Sequence, residues 1–214
     1  MTPGQLEPKA AKRSTVAVQH QEQSRGAVQL RLAIPEDSLC LSVLAMQVFL
    51  DTYATEGIRP SLAREVLSAY SQVNFSKAIA DPQARVVVAE HRGHMVGFAQ
   101  VTLCARHELA PGGVQAELLR LYVQEPFTGI KVGSKLLAEA ENLAALAGAT
   151  VIWLTPWAHN HRALAFYARR GYGDFGLAYF AFEGESHENR MLAKPLRPAS
   201  IDPSLEGTRA LPAS

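Results

Sequence analysis

A short glycine-containing turn in the second half of the chain is the segment best suited to chemistry. Residues 128–133 read Thr-Gly-Ile-Lys-Val-Gly and follow an apolar segment, Leu118 to Val123, that is typical of a strand. A helical pattern begins directly after the turn. A strand that leads through a glycine turn into a helix presents free backbone N–H groups and the positive end of the helix dipole to an anion. The segment therefore predicts a site for a phosphorylated cofactor.

Histidine and cysteine show no pattern of a metal site. The histidines at positions 91, 94, 159 and 161 lack metal-ligand spacing backed by a carboxylate cluster. Cys40 and Cys104 lie in separate segments without a C-x-x-C pair, which indicates neither a disulfide framework nor a zinc knuckle. We expect Cys104 to be a buried apolar residue rather than an acyl carrier. No metal is predicted, and a reducing compartment, the cytoplasm, fits the cysteine content.

Composition and charge indicate a single globular domain that binds a small ligand. Of the 214 residues, 48% are hydrophobic and 19% are charged, which is enough apolar material for one core. The 21 Lys and Arg nearly balance the 20 Asp and Glu, so neither nucleic acid nor a membrane surface is indicated as a partner. Neither end has an apolar run typical of a signal peptide or a membrane span. We predict disordered tails at residues 1–27 and 197–214 and an ordered domain over residues 28–196.

The elements that must position the turn follow a mixed α/β order. A strand over residues 28–32 precedes a helix that starts at Pro35-Glu36-Asp37, with Leu39, Val43, Met46 and Leu50 on one side. A second helix is predicted over Ser61 to Ile79. Further strands are predicted at residues 85–89, 95–103, 118–123, 150–154, 179–182 and 189–192, with a hairpin turn at Gly93 and a helix after each of the strands 118–123 and 150–154. Because strands often follow each other directly, a regular doubly wound sheet is not indicated, and the G-x-G-x-x-G spacing of a dinucleotide-binding fold is missing.

Several short motifs occur in one order along the chain. They are Arg31-Leu32-Ala33 with Pro35-Glu36-Asp37, Phe49-Leu50-Asp51-Thr52-Tyr53, Glu117 to Val123, Trp153-Leu154 with Trp157 and Asn160, and Ala165-Phe166-Tyr167. From about Leu30 to Leu196 this order resembles the GNAT superfamily of acetyl-CoA-dependent N-acetyltransferases, and within it the bacterial polyamine N-acetyltransferase branch. The resemblance implies the GNAT fold: an α/β domain with a mixed, mostly antiparallel sheet of six to seven strands, flanked by helices, in which strands 4 and 5 are splayed.

The resemblance also implies where acetyl-CoA binds. The family's loop, Gln/Arg-x-x-Gly-x-Gly/Ala, places its fixed positions at Thr128, Lys131 and Gly133, and the first two depart from the pattern. The Lys131 ammonium could reach a cofactor phosphate or could be a solvated lysine on the first turn of a helix, and both interpretations stay open. The implied cofactor-binding residues are Leu121, Tyr122, Val123, Thr128, Gly129, Ile130, Lys131, Val132, Gly133, Ser134, Asn160, Ala163, Phe166 and Tyr167.

The resemblance implies catalytic roles for two further groups. Tyr167 would protonate the thiolate that leaves when an amine attacks the thioester, and Asn160 would hold the pantetheine arm. By pattern alone, Phe166 and Tyr167 also fit the core face of an amphipathic helix. Glu117 is the candidate base that accepts the proton of the amine, directly or through water, and an ordinary solvated carboxylate is the alternative.

The acceptor is implied to bind near the end of the first helix. Asp51 would neutralise an ammonium and Tyr53 would pack against its methylene groups, while Trp157 would line the site and Trp153 would belong to the core. The sequence thus predicts an enzyme that acetylates a small, polyamine-like primary amine without a covalent intermediate. A protein or peptide N-acetyltransferase and a degenerate acyl-CoA-binding protein are the alternatives, and a homodimer is compatible with the resemblance because many relatives dimerise.

Overall fold

A computed structural model describes residues 27–182 and 185–197, and it shows the predicted α/β class. Within these residues the chain forms seven strands, five helices and two single turns of 3-10 helix, at Pro35–Asp37 and Glu125–Phe127. The strands are β1 (Gln29–Leu32), β2 (Ala84–His91), β3 (His94–Leu103), β4 (Gln115–Val123), β5 (Val151–Leu154), β6 (Gly173–Phe182) and β7 (Glu185–Pro195). The helices are α1 (Ser38–Tyr53), α2 (Pro60–Ala69), α3 (Gln72–Ala80), α4 (Val132–Leu146) and α5 (His161–Ala168).

The strands form one mixed sheet in the order β1-β2-β3-β4-β5-β7-β6. β1 pairs antiparallel with β2, and β7 pairs antiparallel with both β5 and β6, whereas β4 and β5 run parallel. The predicted hairpin between β2 and β3 turns at Arg92 and Gly93, which both have positive φ, 53° and 77°, as a two-residue type I′ turn requires. The predicted mixed, mostly antiparallel sheet is therefore confirmed, with seven strands.

The described residues divide into two compact units. The first contains residues 27–81, 86–99 and 120–137, and the second contains residues 82–85, 100–119 and 138–197 without 183 and 184. The core of the first unit is built from Leu41, Leu44, Ala45, Val66, Tyr70, Phe75, Val86, Val88 and Phe98. A separate cluster in the second unit consists of Val151, Trp153, Met191 and Ala193, and the Trp153 indole donates a hydrogen bond to the Ala105 carbonyl at 3.2 Å. The predicted core position of Trp153 is therefore confirmed.

The side of the first helix that packs on the core was predicted only in part, since Met46 and Leu50 pack against the core of the first unit. Leu39 and Val43 are 56% and 60% exposed, whereas Leu41 and Leu44 are buried in the core of the first unit. Residues 38–53 carry apolar side chains on several sides of the helix, so their spacing alone does not single out the side that packs. Packing against the neighbouring core decided the orientation.

The predicted helix over Ser61 to Ile79 is two helices. α2 ends at Ala69, and Ser71 begins α3 as its N-cap, with its side-chain oxygen accepting a hydrogen bond from the backbone N–H of Asn74 at 3.4 Å. A serine that caps the following turn in this way interrupts a helix.

The last two strands are longer than predicted. β6 continues through Gly176, whose φ is 127°, and the register between β6 and β7 shifts at this point.

The prediction for Cys104 was wrong. Cys104 was predicted to be buried, but it is exposed, because it directly follows β3 in a turn with a φ of 58°.

The predicted tails, residues 1–27 and 197–214, lie outside the described residues except for residues 27 and 197. In the part of the chain that the structure describes, no helix has the length and apolarity needed to cross a bilayer.

Candidate active site

Glu117 lies where β4 and β5 stop pairing. In the second unit the two parallel strands pair through three residues, Gln115 with Val151, Ala116 with Ile152 and Glu117 with Trp153. Beyond this last pair β4 continues to Val123, while β5 ends at Leu154. The pairing of the two strands therefore ends at the half-buried residue that was predicted to be the base.

The segment after β5 follows β7. The Arg190 backbone N–H donates to the Pro156 carbonyl, and the Ala158 N–H donates to the Glu188 carbonyl, each at 2.9 Å. Trp157 forms an isolated antiparallel bridge with Asn189, whose side-chain amide also donates to the Thr155 carbonyl at 2.9 Å. These bonds hold the backbone of Trp157 against β7, and its indole lies 5.2 Å from the His159 ring. The segment after β5 therefore continues along β7.

Asn160 is the N-cap of α5. Its side-chain oxygen accepts a hydrogen bond from the backbone N–H of Ala163 at 3.0 Å, as an asparagine at a helix start commonly does. The Ala163 N–H is therefore used within the helix. Since the amide oxygen of Asn160 is also used, the side-chain NH₂ is the group left to meet a ligand.

Tyr167 is buried in α5 among aromatic rings of the second unit. Its ring centroid lies 5.1 Å from that of Phe166 and 5.4 Å from that of Tyr172, both edge-on. The Tyr172 hydroxyl donates to Glu141 at 3.0 Å, and Glu141 also accepts the Lys194 ammonium at 2.7 Å. Burial and the Glu141 carboxylate raise the pKa of Tyr172 far above its ordinary value, so this hydroxyl keeps its proton. The Tyr167 ring therefore packs on a neighbour whose hydroxyl is held in place.

Phe166 faces a cation. The Arg170 guanidinium lies 3.6 Å from the centre of the Phe166 ring and also donates to the Phe166 carbonyl at 3.0 Å. A guanidinium at this distance over a ring is a cation–π contact. One face of Phe166 is thus covered by a residue that follows the end of α5.

The predicted cofactor loop belongs to the first unit and connects β4 to α4. The Gln124 backbone N–H donates to the Val96 carbonyl at 3.0 Å, and the Gln124 side chain donates to Gln47 of α1 at 2.8 Å. The Thr128 hydroxyl donates to the Glu125 carbonyl at 2.8 Å, which closes the 3-10 turn. The Thr128 side chain is therefore engaged inside the loop.

Two residues of the loop have left-handed backbone conformations. Gly129 has a φ of 78°, and Lys131 has a φ of 70°. Glycine adopts this region freely, whereas an L-residue with a Cβ loses about 1–2 kcal/mol there. The structure thus explains why glycine is usual at the position of Lys131 in the family's loop: the backbone has the same requirement here, although the residue is a lysine.

The loop fits a phosphate group. A Cβ added at Gly129 would meet no atom within 4 Å, so the backbone at this position can be approached closely. Lys131 is exposed, and the buried Val132 anchors the first turn of α4, whose leading N–H groups have no partner within the helix. Exposed backbone donors, a helix N-terminus and an ammonium are the donor set that phosphates require.

The residues predicted to bind the acceptor fall into both units. Asp51 is exposed near the end of α1, and Tyr53 is the last residue of that helix, with its ring 4.5 Å from that of Phe49. Partial burial, with a smaller effect of Tyr70, raises the pKa of Tyr53 to about 12, so its hydroxyl is protonated at neutral pH. These two residues lie in the first unit, and Trp157 lies in the second.

A hydroxyl pair beside Tyr53 was not predicted from the sequence. The Tyr70 and Tyr122 hydroxyl oxygens are 3.0 Å apart, and the Arg120 guanidinium lies 5.2 Å from the centre of the Tyr70 ring. Burial raises the pKa of both tyrosines. The alternation of β4 places Arg120 and Tyr122 on one face, but no sequence pattern links them to Tyr70, which follows α2.

The sequence-predicted site residues thus form two groups. The first unit contains the acidic and aromatic end of α1, the end of β4 and the cofactor loop with its neighbours, residues 121–134. The second unit contains Glu117, Trp157 and the start and inner face of α5. Among the described residues, no group of three or more His, Cys, Asp or Glu side chains is placed to hold a metal ion.

Comparison with known proteins identifies this arrangement. The model of the Acetyltransferase (GNAT) family matches residues 50–172, more than half of the 214-residue chain. An N-acetyltransferase of Lactobacillus delbrueckii subsp. lactis is 24% identical over 155 residues, 72% of this chain and 88% of the relative. The spermidine N(1)-acetyltransferase of Thermoplasma acidophilum is 27% identical over 146 residues, 68% of this chain and 88% of the relative.

Solved structures show the same fold. The crystal structure of the PaiA N-acetyltransferase from Thermoplasma acidophilum, in complex with coenzyme A, matches with a TM-score of 0.64 and 22% identity over 79% of this chain and 99% of that chain. The family match and this fold confirm the predictions of a GNAT domain and of an N-acetyltransferase that uses acetyl-CoA. The chain belongs to the acetyltransferase (GNAT) family.

Proposed function

We propose that this chain transfers the acetyl group of acetyl-CoA to the primary amine of a small, polyamine-like molecule by direct attack in a ternary complex. The observation that carries the proposal is the position of Glu117, the last residue of β4 that pairs with β5, in a chain of the GNAT family. The relative that acetylates spermidine supports the choice of acceptor class.

Acetyl-CoA supplies the acetyl group as a thioester with a thiolate leaving group. Backbone N–H groups of the loop and of the first turn of α4 bind its phosphates, because they form the donor set described above. Asn160 donates from its side-chain NH₂ to the pantetheine arm, since its oxygen already caps α5. Leu121, Tyr122 and Val123 lie along the same arm from the side of β4, and Ala163 and Phe166 from the side of α5.

Proton transfers precede and follow the attack of the amine. A primary ammonium has a pKa of about 10, so the amine must lose a proton before it attacks. Glu117 accepts this proton directly or through a water molecule. Tyr167 donates its phenolic proton to the sulfur as the carbon–sulfur bond breaks, and the second proton that the nitrogen loses as the amide forms restores the phenol, directly or through water. The net reaction therefore yields an amide and a free thiol without an acyl-enzyme.

The acceptor is held by charge and by aromatic surface. Asp51 is exposed and can pair with a second ammonium of a polyamine, while Tyr53 offers a ring to its methylene groups. The resemblance adds Trp157 as a further aromatic side chain that contacts the acceptor. A diamine or polyamine, which combines charge with methylene segments, matches this set of groups.

The test is turnover with a panel of acceptors. The purified full chain is incubated with acetyl-CoA and with spermidine, spermine or amino-terminal peptides, and both free thiol and the mass of the product are measured. We expect thiol release that depends on the amine and a product 42 Da heavier than spermidine or spermine, the mass that one acetyl group adds. Turnover of peptides alone would replace the small-amine proposal with a protein N-acetyltransferase.

The loop favours one second candidate, a degenerate acyl-CoA-binding protein. Thr128 and Lys131 depart from the family's pattern, and Lys131 has a backbone conformation that suits glycine. Calorimetric titration with acetyl-CoA separates the two candidates when it is combined with the panel. Binding without turnover of any amine would support the binding protein, whereas turnover would exclude it.

We also propose that residues 28–196 carry this activity in the cytoplasm. The described elements, from β1 to β7, lie within that range. Both cysteines are free, which fits a reducing compartment.

We also propose that the chain assembles as a homodimer. Sedimentation velocity at several protein concentrations tests this assembly.

A further inference from the structure

Glu141 of α4 is a carboxylate with little access to solvent. Its side chain is 18% exposed, and Ala140 beside it and Ala144 one turn further along the helix are completely buried. A carboxylate in such a place costs free energy unless it is paired, and an apolar side chain would fill the space at a lower cost of desolvation. The contacts of Glu141 are therefore a place to look for a function.

The two carboxylate oxygens of Glu141 bind groups from two other parts of the second unit. One oxygen accepts the Tyr172 hydroxyl at 3.0 Å, and the other accepts the Lys194 ammonium of β7 at 2.7 Å. The same ammonium lies 5.6 Å from the centre of the Tyr172 ring. Glu141 and Lys194 together thus hold the hydroxyl end of a tyrosine that is 6% exposed.

Tyr172 is joined to Tyr167 through both its backbone and its ring. The Tyr172 N–H donates to the Tyr167 carbonyl at 3.2 Å, and the Gly171 N–H donates to the Ala168 carbonyl at 3.1 Å. With a φ of 83° at Gly171, these bonds form the Schellman motif that ends a helix. The Tyr172 ring also lies edge-on to the Tyr167 ring, at 5.4 Å. Tyr172 is therefore held at one end by α5 and at the other end by Glu141.

We propose that Glu141 positions Tyr167 for its reaction by holding Tyr172 against it. This inference rests on the proposed function, in which the Tyr167 hydroxyl protonates the leaving thiolate. A general acid must lie about 2.6–3.2 Å from the atom that it protonates, and a displacement of about 1 Å can lower the rate about a hundredfold. An anchored Tyr172 limits the movement of the ring beside it. Glu141 is thus a positioning residue, which acts through Tyr172.

The test compares the steady-state kinetics of full-length chains with acetyl-CoA and the acceptor of the panel above that is turned over fastest. Tyr172→Phe keeps the ring beside Tyr167 and removes the hydroxyl that Glu141 holds, whereas Glu141→Leu removes the two acceptor oxygens. We expect each variant to lower kcat about tenfold, because the Tyr167 hydroxyl is then displaced for part of the time. The Kd for coenzyme A, measured by calorimetry, should stay unchanged. The matched controls, Tyr179→Phe at a 67% exposed tyrosine and Glu139→Leu on the same helix, should keep the natural kcat.

A double-mutant cycle tests whether the effect passes through Tyr167. In the Tyr167→Phe background we expect neither Tyr172→Phe nor Glu141→Leu to lower kcat further, since no hydroxyl is left to position. A general loss of structure would lower kcat in both backgrounds. Circular dichroism melting identifies the variants that fold. If Glu141→Leu does not fold, because Lys194 loses its partner, Tyr172→Phe alone decides the outcome.

The outcomes that overturn the inference are distinguishable. If Tyr172→Phe has the natural kcat, or lowers kcat equally in both backgrounds, the positioning role is rejected while the proposed function stands. If Tyr167→Phe is itself fully active, both the positioning role and the proton donation by Tyr167 are rejected, but acetyl transfer is not. If the natural chain turns over none of the acceptors, the proposed function is rejected and the inference with it.

Discussion

At the scale of single residues, the proposed catalysis depends on two side chains whose surroundings differ. Glu117 is half-buried at the end of the β4 and β5 pairing, and Tyr167 is buried with its ring packed against Tyr172. Phenylalanine at position 167 keeps the ring that packs on Phe166 and Tyr172 and removes only the hydroxyl. The two proposed roles can therefore be tested with substitutions that preserve shape.

We expect Tyr167→Phe to lower kcat about a hundredfold or more, because the leaving thiolate loses its general acid. The affinity for coenzyme A should not change, since phenylalanine keeps the ring contacts with Phe166 and Tyr172. Steady-state kinetics and calorimetry measure the two quantities. Tyr179→Phe, at a 67% exposed tyrosine of β6, is the control. A fully active Tyr167→Phe enzyme would assign this residue to packing alone.

We expect Glu117→Gln to lower kcat/KM about a hundredfold at neutral pH, because the amine then loses its proton only to solvent. The loss should shrink as the pH approaches the pKa of the amine, about 10, where the acceptor is already deprotonated. The pH–rate profiles of the variant and the natural chain are compared, with Glu108→Gln as the control at an exposed acid. Parallel profiles would rule out a role as base.

The sequence identified most side chains of the candidate site but not all their contacts. The glycine turn and the residues on α5 were visible because local spacing and family motifs define them. The hydroxyl pair of Tyr70 and Tyr122 was missed, because it joins residues 52 positions apart. The internal bond of Thr128 was missed as well, since the 3-10 turn that it closes has no strong sequence signal.

At the scale of elements, the path of β4 into the cofactor loop depends on a close approach of backbones. A Cβ added at Gly97 of β3 would lie 2.7 Å from the Tyr122 carbonyl oxygen and 3.3 Å from the Cα of Val123. Only glycine allows this approach without a shift of one strand. The start of the loop therefore depends on a residue of another strand that has no chemistry of its own.

We expect Gly97→Ala to reduce the free energy of unfolding by about 1–3 kcal/mol, the usual effect of overpacking, and to weaken the binding of coenzyme A. Urea denaturation and calorimetry measure the two effects. The control is Gly112→Ala, where an added Cβ meets nothing within 4 Å. Unchanged stability and affinity of Gly97→Ala would show that β3 and β4 adjust without cost.

The order of the elements was more predictable than their packing. Strand alternation, the Gly93 turn and the position of the fifth strand follow from local pattern, and the structure has them. The break at Ser71 and the buried side of α1 depend on a cap and on a core that form only in three dimensions. Apolar residues on several sides of α1 left its orientation open to the sequence.

At the scale of the whole molecule, acid stability depends on an arginine that joins three elements of the first unit. Arg31 of β1 donates to Asp37 at 2.6 and 2.9 Å and to Glu90 of β2 at 2.6 and 3.2 Å. The hydrogen bonds from Arg31 lower the pKa of Asp37, against the opposing effect of burial. Because the folded pKa is below the unfolded one, this contribution is present above about pH 4 and is lost as the pH falls further.

We expect Asp37→Asn to lower the free energy of unfolding by about 1–2 kcal/mol at pH 7, a value reduced by the partial exposure of Arg31. At pH 3 the difference from the natural chain should be smaller, because the aspartate of the unfolded chain, with its ordinary pKa of about 4, is then largely protonated and the lowered pKa in the folded state contributes less. Urea denaturation at the two pH values measures it. Glu36→Gln, at the exposed neighbouring acid, should have little effect at either pH. An equal loss at both pH values would exclude an ionic origin.

The two cysteines of the chain are attachment points for fluorophores, one in each compact unit. Cys40 lies on α1 in the first unit and Cys104 follows β3 in the second, and both thiols are free and exposed. Exposed thiols accept maleimide dyes, so a donor and an acceptor fluorophore can be attached without any substitution. Energy transfer between them would then report, in single molecules, whether the distance between the units changes when acetyl-CoA is added.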